Sequence, residues 1–199
     1  MTVADAPAAP LRLVLASTSP RRRALLERLG VVPDRIAAPD VDETPLKNEV
    51  PRAYAVRVAL AKAAAVARAP DEVVLAGDTT IALGGRILGK PEDEADLRRM
   101  LHLLSGRRHH CLSVVAVIDR DGRVRHRLSD TTLAFRPLEG AEIDAYVACG
   151  EGMGKAGGYA IQGRAEAWVR RLSGSHSGVI GLPLLETRAL LKAAGLPLA

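Results

Sequence analysis

Apolar runs and amphipathic stretches alternate along the chain, and their spacing predicts strands and helices that interleave from one end to the other. The apolar run Leu11–Ala16 predicts a buried strand, and Ser19–Leu29, closed by Gly30, predicts a helix. Ile36–Val50 has no such spacing and predicts an acidic loop. The other predicted strands are Val73–Ala76, Ile81–Leu83, Arg86–Leu88, Ser113–Ile118, Val124–Phe135 and Trp168–Leu172, and the other predicted helices are Pro51–Arg68, Glu92–Leu104, Glu139–Val147 and Pro183–Ala194.

The order of these elements, with at least one antiparallel hairpin, favours an α/β fold around a mixed sheet. A chain of 199 residues is long enough to bury a full core in one domain, which we assign to residues 11–199 after an Ala/Pro-rich tail at residues 1–10. The Ala-rich helix Pro51–Arg68 is predicted to turn Val56, Leu60 and Ala63–Ala64 inward.

Composition narrows the functional classes. Apolar residues make up 48% of the chain and aromatic residues 3%, which indicates an aliphatic core and disfavours a disordered chain or a reader of single-stranded RNA. The net charge of +5 suits any polyanion. Cys111 and Cys149 are far apart without a zinc-binding pattern, and no segment has the length of a membrane span or the pattern of a signal peptide. We therefore expect a cytoplasmic protein with reduced thiols and no membrane contact.

Three arginines occupy the first turn of the helix that follows the first strand, in the run Ser17-Thr18-Ser19-Pro20-Arg21-Arg22-Arg23. A helix N-terminus already carries partial positive charge, so cations there are unfavourable unless an anion lies among them. Ser19 is the predicted N-cap and Pro20 suits the first helical position. The sequence predicts a phosphate site at this turn, and the alternative is a solvated basic helix start.

Two acidic positions are candidates for catalysis. Asp78 follows the apolar strand Val73–Ala76, and ligand sites in open α/β sheets gather beyond the carboxyl ends of strands. It could hold a divalent cation, accept a proton from water, or only stabilise a predicted turn at Gly77–Thr80 through its own backbone. Glu43 and Asp42 lie in the acidic loop, where one carboxylate could share Mg²⁺ with Asp78 or simply remain solvated.

Three further side chains are candidates for ligand contacts. Lys62 is the only lysine of its helix, and on the core face it would need to snorkel or find an anion. Lys90 lies between Gly89 and a proline, where it could bind phosphate or form a surface charge. Gln162, in a glycine-rich segment, could pair with a pyrimidine edge or cap a turn.

Several common catalytic patterns are missing. The Ser/His segment at Ser173–Gly178 lacks a G-x-S-x-G elbow, so a hydrolase triad is disfavoured. His109 and His110 are adjacent in a predicted strand and face opposite ways, so they do not suit one metal. A P-loop is also missing.

Eight short motifs in a fixed order resemble the Maf family of nucleoside triphosphate pyrophosphatases, from about Leu13 to Leu190. They are Ser-x-Ser-Pro-Arg-Arg (Ser17–Arg22), Val-Asp-Glu (Val41–Glu43), Ala-Lys-Ala (Ala61–Ala63), Gly-Asp-Thr (Gly77–Thr79), Gly-Lys-Pro (Gly89–Pro91), Leu-Ser-Gly (Leu104–Gly106), Lys-Ala-Gly with Ile-Gln-Gly (Lys155–Gly157, Ile161–Gly163) and Gly-Leu-Pro (Gly181–Pro183).

This resemblance implies a Maf/ITPase-like fold, in which a mixed twisted sheet is flanked by helices and carries a substrate cleft. It implies that Asp78 is the catalytic carboxylate and that Glu43 helps Asp78 to bind a divalent metal cation, Mg²⁺ or Mn²⁺. It also implies a set of triphosphate-binding residues, which are Ser17, Arg21, Arg22, Lys62 and Lys90.

The resemblance further implies hydrolysis between the α and β phosphates, which releases a nucleoside monophosphate and pyrophosphate. Thr79 and Gln162 match the branch that acts on dTTP and UTP, whereas a sister branch that acts on 7-methyl-GTP tends to carry Gln and Glu there. Gly158, Ala160 and the Gly174–Gly178 segment depart from the commoner pattern of that branch. A homodimer, and a link to cell-division arrest, are expectations from the family. The alternative function is a non-catalytic nucleotide or nucleic-acid binding regulator of septum formation.

Overall fold

A seven-stranded mixed sheet runs through the protein, whose computed structural model describes residues 10–198. The predicted tail at residues 1–10 therefore lies outside the described residues except for its last position. The strands are β1 (Arg12–Leu15), β2 (Arg35–Ile36), β3 (Glu72–Leu83), β4 (Arg86–Leu88), β5 (Arg108–Ile118), β6 (Val124–Phe135) and β7 (Val169–Ser173). The helices are α1 (Pro20–Glu27), α2 (Pro51–Ala64), α3 (Glu94–Leu104), α4 (Gly140–Ala148), α5 (His176–Ile180) and α6 (Leu184–Ala193), with 3₁₀ turns at Ala156–Gly158 and Arg164–Trp168.

The strand order is β2-β1-β3-β5-β6-β7, with β4 paired to β3. β1 is parallel to β2 and β3, and the pairs β3–β4, β3–β5, β5–β6 and β6–β7 are antiparallel. The sheet is therefore mixed and carries helices, and the predicted α/β class is confirmed.

Helices cover both faces of the sheet because successive residues of a strand point to opposite sides. On one face α2 packs an alanine-rich layer against Val74, Val114 and Ala116. On the other face α1 and α6 pack against β1 and the first half of β3, and α3 and α4 pack against the far halves of β3, β5 and β6. Among the described helices, none combines the length and apolar composition needed to span a bilayer.

One side of β3 changes partners partway along its length. β1 pairs with it from Glu72 to Leu75, and β4 pairs with it from Ile81 to Leu83. Residues 76–80 have no strand partner on that side within the described chain. β1 is parallel to β3 and β4 is antiparallel, so both strands end at this gap, and the residues that follow each of them meet there.

The structure corrects the prediction of a turn at Gly77–Thr80. β3 continues unbroken through Asp78, because β5 pairs with every residue from Val74 to Ala82. β5 itself starts at Arg108, five residues before the predicted start, and α5 lies in a segment that was not predicted to be helical. β3 can continue past the point where β1 ends, because β5 still pairs with it along its other side.

The orientation predicted for α2 was correct only for Ala63, which is buried. Val56 and Leu60 are only partly buried and Ala64 is exposed, whereas the buried stripe consists of Tyr54, Ala55, Val58, Ala59, Lys62 and Ala63. An alanine-rich helix has little amphipathic contrast, so the sequence pattern does not define which side faces the sheet.

Candidate functional site

A cleft with a volume of about 680 Å³ opens at the gap in the pairing of β3. It is formed by the turn after β1, the acidic loop, β3, the residues after β4 and the glycine-rich segment. Asp42, the alternative to Glu43 in the acidic loop, does not line it. The other residues predicted for the site do, namely Ser17, Arg21, Arg22, Glu43, Lys62, Asp78, Thr79, Lys90 and Gln162. Their convergence follows from the topology, because two strands end at the gap and α2 lies across the same face as Asp78.

A lysine between two carboxylates forms the centre of the cleft. Lys62 Nζ lies 2.9 Å from Asp78 Oδ1 and 2.9 Å from Glu43 Oε2. The other carboxylate oxygen of Asp78 accepts a hydrogen bond of 2.9 Å from the Thr80 hydroxyl. The Asp78 side chain is only 7% exposed, so its charge depends on these partners rather than on water.

The same two carboxylates fit a divalent cation. Glu43 and Asp78 each direct one oxygen at the single point that the Lys62 ammonium occupies. Mg²⁺ commonly takes one or two protein carboxylates and completes its shell with phosphate oxygens and water. The described residues contain no cluster of three or more His, Cys, Asp or Glu side chains suited to a metal. Substrate and water ligands are therefore needed to complete such a site.

The acidic loop is held over the cleft by α2. The Tyr54 hydroxyl donates a hydrogen bond of 2.9 Å to the backbone carbonyl of Glu43. Arg57 binds both carboxylate oxygens of Glu49 and also donates to the Thr44 carbonyl. Burial raises the pKa of Tyr54 to about 12, so its hydroxyl keeps its proton at neutral pH. These bonds place the Glu43 carboxylate beside Lys62.

The arginine turn after β1 is organised differently from the prediction. Ser19 is at the N-cap position of α1, and Pro20 occupies the first turn as predicted, but the Ser19 side chain makes no capping bond. Instead Ser17 Oγ accepts from the backbone N–H of Ser19 at 3.2 Å and from Arg22 Nη1 at 3.1 Å. Arg22 Nε also donates to the Gly181 carbonyl at 2.9 Å. Burial lowers the pKa of this guanidinium, which indicates a desolvated cation.

Three more cations line the cleft, on Arg21, Lys90 and Lys155. Within the described chain, none of them has a carboxylate at ion-pair distance. Lys155 Nζ donates to the Glu151 carbonyl at 2.7 Å. Burial, together with the nearby charge of Arg21, lowers the pKa of Lys155. Cations gathered without anions form a site that favours an anionic ligand.

The glycine-rich segment forms part of the cleft lining. Gly157 N–H donates to the Gly89 carbonyl at 2.9 Å, which ties the segment to the residue before Lys90. Gly157 and Gly158 have φ values of +69° and +72°, a conformation that side chains disfavour. The exposed Gln162 follows at the rim of the cleft.

Two buried hydrogen bonds anchor this segment to the core. The Tyr159 hydroxyl lies 2.9 Å from Nε2 of His109, and the N–H of Ala160 donates to the Tyr146 hydroxyl at 3.1 Å. Burial lowers the pKa of His109 to about 4, so its imidazole is neutral. His109 is buried and His110 is exposed, which confirms that the two histidines face opposite ways.

Substituting Gly157 with alanine is expected to destabilise the fold by about 2–4 kcal/mol, because positive-φ strain adds to overpacking. A Cβ at Gly157 would lie 2.8–2.9 Å from three atoms of Ile81. Gly154 is the matched control, since it has φ +70° with nothing within 4 Å of the added atom. Its alanine variant should lose only about 1 kcal/mol. Urea unfolding measures both, and equal losses would refute the packing argument.

Several polar residues that line the cleft were not identified from the sequence. Thr80 and Tyr54 hold Asp78 and the Glu43 backbone, and Lys155 adds a cation. Lys155 could have been found, because it lies between Gly154 and Ala156-Gly157-Gly158 in a run of small residues. Thr80 shares a face of β3 with Asp78, two residues earlier, but this contact becomes evident only once the segment is known to be a continuous strand. Tyr54 carries no local signal, because its partner is a backbone carbonyl of the acidic loop.

The chain is similar to several known proteins. The family described as Maf-like protein matches residues 12–194. A protein of Sphingopyxis alaskensis named dTTP/UTP pyrophosphatase is 73% identical over 186 residues, which cover 94% of this chain and 98% of that protein. A protein of Novosphingobium aromaticivorans with the same name is 63% identical over 185 residues, which cover 92% of this chain and 92% of that protein. A solved HAM1 protein from Coxiella burnetii aligns with a TM-score of 0.44 and 18% identity, over 92% of this chain and 97% of that one.

Proposed function

The chain belongs to the Maf-like protein family, and from this premise we propose that it is a nucleoside triphosphate pyrophosphatase acting on dTTP and UTP. The observation that carries the proposal is that arginine and lysine side chains line one cleft together with the Asp78 carboxylate, which forms an ion pair with Lys62. A triphosphate carries the negative charge to match the four cations of Arg21, Arg22, Lys90 and Lys155, which line this cleft. The relatives' names supply the pyrimidine class of the substrate.

The triphosphate is bound by Ser17, Arg21, Arg22, Lys62 and Lys90, all of which line the cleft. Arg22 is fixed by bonds to Ser17 and Gly181, so it is oriented before the ligand arrives. Fixed donors cost little reorganisation and stabilise charge that develops in the transition state. Thr79 and Gln162, which line the same cleft, contact the base.

Asp78 is the catalytic carboxylate. It orients a water molecule and accepts a proton from it as the water oxygen attacks the α-phosphorus. The bond from that phosphorus to the bridging oxygen breaks, and the electron pair leaves with pyrophosphate. Arg21, Arg22 and Lys90 neutralise the charge that grows on this leaving group. The products are a nucleoside monophosphate and pyrophosphate.

Glu43 and Asp78 would hold a divalent cation, Mg²⁺ or Mn²⁺, at the point that the Lys62 ammonium occupies. When bound, such a cation supplies positive charge for the phosphate oxygens and lowers the pKa of bound water. With a cation held there, Lys62 would bind the triphosphate instead of the two carboxylates, which its flexible four-carbon side chain permits.

The proposal is tested by pyrophosphate release from dTTP, UTP, dCTP, ATP and GTP, with Mg²⁺ or Mn²⁺ and with a chelator. We expect dTTP and UTP to yield monophosphate and pyrophosphate in equal amounts only when the metal is present. In ¹⁸O-labelled water the label should enter the monophosphate, because water attacks the α-phosphorus. No pyrophosphate from any nucleotide would instead favour the regulator. Homodimerisation, a cytoplasmic location and a role in cell division stay predictions.

A further inference from the structure

Thr79 and Ser113 face each other across β3 and β5, on the face of the sheet opposite Asp78. Their hydroxyl oxygens lie 3.2 Å apart. Ser113 is fully buried, and its Oγ lies 2.6 Å from the carbonyl oxygen of Gly178, at the middle of α5. Thr79 is half-buried and lines the cleft.

The directions of the two hydrogen bonds that link Thr79, Ser113 and Gly178 follow from the single proton that each hydroxyl carries. A carbonyl oxygen can only accept, so the Ser113 hydroxyl must donate its single proton to Gly178. Ser113 then has only lone pairs left for Thr79, and the Thr79 hydroxyl must be the donor in the 3.2 Å contact. Because the Thr79 proton is directed away from the cleft, its oxygen presents only lone pairs to a ligand.

An acceptor at this position distinguishes the pyrimidine bases. Uracil and thymine carry an N–H at N3, which can donate to Thr79, whereas N3 of neutral cytosine is itself an acceptor. Gln162 cannot make this distinction, because its amide carries both a donor and an acceptor and can rotate to suit either base. Between these two side chains, discrimination by hydrogen-bond polarity therefore falls on Thr79.

We propose that Ser113 is a positioning residue that holds the Thr79 hydroxyl as an acceptor and so selects uracil and thymine nucleotides over cytosine nucleotides. This inference rests on the proposed function, in which Thr79 contacts the base. Ser113 does not line the cleft and acts only through Thr79.

The test is the ratio of kcat/KM for dTTP over dCTP in Ser113→Ala. Without Ser113 Oγ, the Thr79 proton is free to turn toward N3 of cytosine. We expect the ratio to fall about tenfold, the upper range for one neutral hydrogen bond. Ser113→Thr keeps the hydroxyl and should keep the ratio. Ser113→Cys, a much weaker donor of similar shape, should lower the ratio and replaces the alanine variant if that protein does not fold.

A double-mutant cycle with Thr79→Val separates this mechanism from a loosening of α5. The valine side chain has no hydroxyl, so adding Ser113→Ala should leave the ratio unchanged from that of Thr79→Val alone. A further fall of the same size in the double variant would overturn the proposal, as would an unchanged ratio in Ser113→Ala.

Dissociation constants of dTMP and dCMP provide the same comparison without turnover. If the wild-type protein bound dTMP more tightly than dCMP and Ser113→Ala reduced that preference, the inference would hold even for a protein that released no pyrophosphate. An enzyme that hydrolysed dTTP but showed no change in either ratio would overturn the inference alone.

Discussion

Asp78→Asn is expected to lower kcat for dTTP by about 10²–10⁴-fold, the range for loss of a positioned general base. Asparagine has the size and shape of the aspartate but accepts no proton from water at neutral pH. Its amide oxygen can still accept the hydrogen bond from Thr80, and Lys62 keeps Glu43 as a partner. The cleft should therefore retain its shape, and nucleotide binding should persist because a negative charge beside the triphosphate is removed.

Two measurements establish this result together. Steady-state pyrophosphate release gives kcat, and titration calorimetry with dTTP gives the dissociation constant. Asp40→Asn is the matched control, since Asp40 is an exposed carboxylate of the acidic loop and does not line the cleft. It should hydrolyse dTTP normally. Wild-type turnover in Asp78→Asn would remove Asp78 from the reaction.

Lys62→Met is expected to lower the free energy of unfolding by about 3–5 kcal/mol, the cost of leaving a buried charge without its partner. Glu43 is 39% exposed and can turn to water, but Asp78 is only 7% exposed and would keep only Thr80 as a partner. The double variant Lys62→Met/Asp78→Asn removes the stranded charge. It should therefore be more stable than Lys62→Met alone.

Urea unfolding with an unchanged m-value measures both variants. Lys90→Met is the control, because Lys90 is exposed and has no carboxylate at ion-pair distance within the described chain. Its free energy of unfolding should change by no more than about 0.5 kcal/mol. If the double variant were less stable than Lys62→Met, the Lys62–Asp78 pair would not be the source of the loss.

The surroundings of Lys62 and Asp78 could be predicted from the sequence only in part. Lys62 was expected to need an anion if it lay on the buried face of its helix, and that condition is met. The residues predicted to face the core from α2 were mostly the wrong ones, because its many alanines leave little difference in hydrophobicity between the faces of the helix. Asp78 was expected beyond the end of a strand, yet it lies within β3. It borders the cleft because β1, and not β3, ends there.

The two hydrogen bonds that link Thr79, Ser113 and Gly178 could not be predicted from the sequence. Ser113 stands in an apolar strand and Gly178 in a segment that was not predicted to be helical. The register of β3 on β5 and the position of α5 bring them together, and neither is encoded by local spacing.

The sequence by itself determined the α/β class, most of the elements and the identity of the residues that meet in the cleft, since periodicity and short motifs are local properties of the chain. Only the tertiary structure decided which of those residues pair. The bridging position of Lys62, the bond of Arg22 to the Gly181 carbonyl and the direction of the Thr79 proton each depend on atoms from elements distant in sequence. Such contacts arise from the burial of both sheet faces at once, which fixes strand register and helix orientation together.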